Sequence, residues 1–100
     1  IVMNLTVESP PAMAAAVIGL PELPRQTEAV VVDVGAVAQP QDTELVLRLI
    51  EIGFLPGERV RVIAQGHPGN DPLAVRIGQS TFALRRHEAQ LVRVRPGGGA

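Results

Sequence analysis

Between Arg48 and Gly57 the chain reads Arg48-Leu49-Ile50-Glu51-Ile52-Gly53-Phe54-Leu55-Pro56-Gly57, and this stretch excludes most ways of folding its surroundings. Gly53 follows the last residue of an apolar-periodic helix, where the backbone commonly turns left-handed and Gly takes that turn without a Cβ clash. Phe54 then stands where a Schellman motif folds an apolar residue back onto Leu49. Pro56-Gly57 suits the central pair of a type II turn, with Pro fixing the first φ and Gly supplying the positive second one. From Glu58 to Ala64 polar and apolar residues alternate, as in a half-buried strand. A helix stop, a reversal and a strand start are thus written into ten consecutive residues.

The 100 residues suffice for one small domain with a single core. Nine Pro and ten Gly demand many turns and short elements. The absence of Cys rules out disulfides, thiolate catalysis and Cys-based zinc or iron–sulfur sites. The net charge of −1 hides a division. Residues 1–58 hold eight acids against Arg25 and Arg48, whereas residues 59–100 hold seven Arg against Asp71 and Glu88. Either the second half presents a basic face, or the halves fold on each other and their charges interleave.

In chain order, residues 1–19 form an N-terminal extension without firm periodicity, read as a tail or a short helix that packs against a neighbouring molecule. Its apolar run Ala12–Leu20 is far shorter than the roughly 20 residues that span a bilayer, and a signal peptide is not expected. Leu20 and Leu23, separated by Pro21 and Glu22, form a buried clasp. Ala29–Val37 is a Val-rich strand, with Gly35 expected at a bulge or bend. Asp42 or Thr43 caps a helix over Asp42–Ile52, with Leu45, Val46, Leu49, Ile50 and Ile52 on its apolar arc and Leu47 exposed opposite. Arg59–Ile63 points Val60 and Val62 inward and both Arg outward. Leu73–Ile77 and Thr81–Leu84 form a hairpin around Gly78-Gln79, Arg85–Ala89 a short helical turn, and Leu91–Arg95 the last strand. Residues 96–100 are expected to be disordered. The sum is mainly β: five short strands, one helix and a helical turn before the last strand, expected to close into a small barrel that leaves no edge.

Chemistry-bearing motifs are sparse. His67 and His87, with Asp71 and Glu88 nearby in sequence, lack the i, i+4 spacing of a helical metal site, and no metal or cofactor is expected. Ser80 and Thr81 lie in a hairpin without a nucleophile-elbow setting, and no glycine run matches a phosphate loop, so no catalytic residues are assigned. With two Phe and no other aromatic residue, the chain has no stacking platform, and nucleic acid is not an expected partner. Function then rests on surface. Leu47 and Arg48 on the helix, Leu55 in the turn, and Arg61, Ile63 and Arg76 on the strands are the candidate partner-binding residues, an apolar centre with Arg around it.

Leu20-Pro21-Glu22-Leu23, the stretch from Arg48 to Gly57, Arg61-Val62, Asp71-Pro72-Leu73-Ala74-Val75, Gly78 and Ala83-Leu84-Arg85-Arg86-His87-Glu88-Ala89 occur in an order and spacing that resemble the FeoA family. These are small SH3-like barrel proteins of bacterial ferrous iron uptake, and the resemblance spans residues 20–95. It departs at Gln26, where the family usually has Gly in the opening turn. The resemblance implies a five-stranded SH3-like barrel and a cytoplasmic accessory protein. Its implied partner is the cytosolic region of the ferrous iron transporter FeoB, with self-association left open and no insertion into the membrane. The alternative is a stand-alone regulatory domain related to the C-terminal SH3-like domain of DtxR-type metal-dependent repressors.

Overall fold

The computed structural model describes residues 16–67, 69 and 71–97. The expectation of a tail or helix over most of residues 1–19, and of disorder at residues 98–100, lies outside them. Within them the strands are β1 (Ile18–Gly19), β2 (Glu28–Val34), β3 (Arg59–Gln65), β4 (Leu73–Ile77), β5 (Ser80–Leu84) and β6 (Val92–Pro96). The helices are α1 (Thr43–Ile52) and the single turn α2 (Arg86–Ala89). Short 3-10 helices at Leu20–Glu22 and Pro40–Asp42 join them.

All strand pairs are antiparallel, and the sheet order is β1-β6-β2-β3-β4-β5. The expected five-stranded closed barrel is therefore replaced by six strands in an open, curled sheet. The added strand is Ile18–Gly19, expected to belong to the N-terminal extension, which pairs with Val94 and Arg93. Two residues carry too short a ladder to zip onto β5, so β1 and β5 remain edges. Curvature comes from bulges. Val32 is the extra residue between the Val31–Val94 and Asp33–Arg93 pairs, and Ile63 the extra residue between Val62–Val75 and Ala64–Ala74.

Gly35 is the bend of the two expected alternatives, not a bulge, and the strand ends just before it at Val34. With φ of 93° it turns the chain toward α1, and a Cβ there would stand 3.0 Å from Val46 Cγ1. At the other end of α1 the expected stop is present in full. Gly53 has φ of 120°, its N–H donates to Ile50 O at 3.1 Å, and the Phe54 N–H donates to Leu49 O at 3.1 Å. Phe54 and Leu49 are buried, as are the clasp residues Leu20 and Leu23. The start of α1 differs from the expected cap. Asp42 turns backward, its Oδ2 accepting the Gln39 N–H at 2.9 Å, and Thr43 Oγ1 donates to Pro40 O at 2.9 Å. The carboxylate thus stabilises the preceding 3-10 turn and not the helix. Ile50, placed on the apolar arc, is 37% exposed.

The core is the inner face of the sheet: Ala29 and Val31, Val60 and Val62, Leu73 and Val75, Leu84, and Val92 and Val94, sealed by Leu49, Phe54 and Ala89. Pro96 belongs to β6, and the Gly97 N–H donates to Glu28 O at 2.7 Å, so order extends past the expected start of the tail.

Candidate functional site

The outer face of the sheet is set by the same alternation that builds the core. Val60 and Val62 point inward, so Arg59 and Arg61 point outward on β3. The β3–β4 register places Arg61 directly opposite Arg76, and the β2–β3 register places Glu28 on the other side of Arg61. The β4–β5 hairpin turns at Gly78, with φ of 58°, and leaves space without a side chain beside these arginines. Together Glu28, Arg59, Val60, Arg61, Arg76 and Gly78 line an open groove of about 380 Å³. Glu28 Oε1 lies 3.9 Å from Arg59 Nη1, a long, exposed ion pair. Among the described residues, no hydrogen bond or ion pair engages the side chain of Arg61 or Arg76.

The candidate residues fall into separate groups. Arg61 and Arg76 share the groove on the sheet. Leu47, 56% exposed, lines a different one of about 360 Å³ with Gly35, Ala38, Gln39, Pro40, Thr43 and Val46. Arg48 lies with Gln41, Glu44 and Leu45 on a further face of α1. Leu55 is 44% exposed in the turn after α1. Ile63 does not stand beside Arg61 on the outer face: as the bulge residue it is half-buried, and its carbonyl accepts the Gln26 Nε2–H at 3.2 Å. Sequence reasoning missed Glu28, Arg59 and Gly78 as companions of the Arg61–Arg76 pair, and Pro40 and Ala38 as companions of Leu47.

Charges of the two halves interleave at specific points. Asp33 on β2 receives Arg93 of β6 in a two-pronged contact, Nε to Oδ1 at 3.0 Å and Nη2 to Oδ2 at 2.7 Å. That hydrogen bond, and then the charge of Asp33, push the Arg93 guanidinium above its ordinary pKa. Two other acids serve α2. Asp71 Oδ1 accepts the Arg86 N–H at 2.9 Å, and Glu88 Oε1 accepts the Arg85 N–H at 2.8 Å. His67 and His87 are both exposed. Among the described residues, no three His, Asp or Glu side chains gather where they could hold a metal ion. No helix among them is long and apolar enough to cross a membrane.

A curled antiparallel sheet in this order, with one helix packed on it, defines a small SH3-like β domain. Within that class the chain belongs to the FeoA family: the FeoA domain model matches residues 18–96. Among solved structures it is 44% identical to FeoA of Stenotrophomonas maltophilia, over 77% of this chain and 88% of that one, with a TM-score of 0.68. That protein was crystallised with zinc and is described as a prokaryotic SH3 domain protein and a candidate ferrous iron transport activating factor. FeoA of Chlorobium tepidum is 28% identical, over 83% of this chain and 73% of that one, with a TM-score of 0.65. A manganese-dependent transcriptional repressor shares the fold at 22% identity and a TM-score of 0.66, over 80% of this chain and 41% of the repressor. No curated protein matches the chain.

The motifs that carry the family resemblance are chiefly architectural. Asp71 caps the Arg85–Ala89 turn across fifteen residues, and Ala89 is wholly buried. Leu20 and Leu23 clasp the core, and the Leu49–Gly53 segment stops the helix.

Proposed function

We propose that this chain is a small cytosolic accessory protein of bacterial ferrous iron uptake. It binds the cytosolic region of the transporter FeoB and regulates that transporter or helps to assemble it. What supports the reading is membership of the FeoA family across residues 18–96. The surface agrees with it, since Leu47 and Leu55 are exposed apolar side chains and Arg48, Arg61 and Arg76 are exposed cations. In this reading the chain acts by docking. Iron is the transporter's cargo in this reading.

The test is a pulldown and GTP-hydrolysis assay with the cytosolic region of the cognate transporter. Wild type is expected to bind, and Leu47→Asp and Arg61→Glu to weaken binding while remaining folded. Unchanged binding by both variants would remove these residues from the interface. Absence of wild-type binding alongside specific capture of a promoter fragment would favour the second reading, a detached regulatory domain. That reading draws on the repressor's likeness, which at 22% identity extends to the fold alone.

A further inference from the structure

We propose that the groove around Arg61 and Arg76 is a carboxylate-binding site that receives an acidic segment of a protein partner. The inference rests on the docking function above and specifies the chemistry of the docked element. Two guanidinium groups placed directly opposite each other on neighbouring strands repel, and like-charge cross-strand pairs destabilise a sheet. Among the described residues neither side chain has a hydrogen-bonded or ion-paired partner to relieve that repulsion. An anion seated between them would relieve it, and each fork can present two N–H donors to one carboxylate. The groove is open and about 380 Å³, and Gly78 keeps its rim free of a side chain.

The wall opposite selects the class of anion. Glu28 lines the same groove, in register with Arg61. A nucleic acid, with a charge on every phosphate, would bring one of them against Glu28. No aromatic side chain is exposed among the described residues, since Phe54 is buried and Phe82 half-buried, so no base can stack there. An acidic peptide with spaced carboxylates can set one on the arginine pair and leave an uncharged residue beside Glu28.

Binding is measured with the full chain and a fluorescent peptide of spaced Glu residues, alongside the same peptide with Gln in place of Glu and a single-stranded oligonucleotide of equal charge. The Glu peptide should bind, weaken with added salt, and lose about tenfold in affinity with Arg61→Gln and again with Arg76→Gln. Arg85→Gln, on an exposed arginine at the far end of β5, should leave binding unchanged. Thermal midpoints of the Arg61 and Arg76 variants should be equal to or above that of wild type, because a repulsion has been removed. Equal affinity for the Gln peptide, preference for the oligonucleotide, or a fall in midpoint with either variant would overturn the proposal. Glu-peptide binding through both arginines without transporter binding would sink the transporter reading and keep the site. Transporter binding without Glu-peptide binding would do the reverse.

Discussion

At the residue scale, three positions carry backbone demands that a sequence states unevenly. Gly53 is legible, because a Gly just past an apolar-periodic helix has one usual reason to be there. A Cβ at Gly53 would meet nothing nearer than Ile77 Cγ2 at 3.8 Å, so Gly53→Val should act through strain at φ of 120° and cost about 1–3 kcal/mol in a denaturant melt. Gly66 is illegible. It looks like one glycine among several in a loop, yet its Cβ would stand 2.6 Å from Asp71 O, while its own N–H donates to Pro72 O at 2.9 Å. Gly66→Ala should therefore destabilise by clash, by about 1–3 kcal/mol, although its φ is not in the left-handed region. Gln26 lies between these cases. The family's usual Gly at this turn signals a positive φ, and Gln26 adopts 65° without being Gly. It is held there by its N–H on Val62 O at 2.8 Å and its side-chain amide on Ile63 O at 3.2 Å. Gln26→Val would raise the strain, since a β-branched residue resists positive φ, and would lose the amide contact, so its thermal midpoint should fall.

Elements were the most legible level, since periodicity reports which side of a helix or strand is dry. Leu49 was placed in the core by its spacing and is 1% exposed. Leu49→Ala should cost about 2–5 kcal/mol by calorimetry or urea melt, the range for opening a cavity in a packed core. What periodicity does not contain is the partner across a loop. The outward direction of Arg61 and of Arg76 follows from alternation within each strand, but their opposition depends on a β3–β4 register set by the intervening loop and the bulge at Ile63. The same gap hid the cap of α2. Asp71 lies fifteen residues before the N–H that it accepts, beyond any local capping pattern. Asp71→Ala should cost about 0.5–2 kcal/mol, the usual loss of a capping side chain. An Asp71→Asn variant retains an acceptor oxygen and should recover most of that loss.

For the whole molecule, the consequence of the sheet order is that the ends of the domain are joined through its last strand. β6 lies between β1 and β2, so residues sixty or more apart in sequence become neighbours, Asp33 and Arg93 among them. The acidic first half and the basic second half thus share one sheet and pair across it at Asp33–Arg93 and Glu28–Arg59. Closure was the wrong expectation because strand count and curvature, which the sequence patterns suggest, do not state whether two edges meet. The Arg93–Asp33 contact gives this arrangement a pH signature. Arg93 has its pKa raised in the folded state, so its stabilising contribution is complete below the ordinary guanidinium value and is lost only as pH climbs through the raised one. Throughout the neutral range the guanidinium is therefore charged in both folded and unfolded chains. Arg93→Gln should lower the thermal midpoint by the same amount at about pH 6 and about pH 9, because Arg93 binds no additional proton on folding between them. Arg93→Lys should recover only part of the loss, since one ammonium cannot reproduce the two-pronged contact at 3.0 and 2.7 Å. A midpoint difference that grows steadily across that interval would show that the effect of Arg93 comes from another titrating group and not from its own pairing with Asp33.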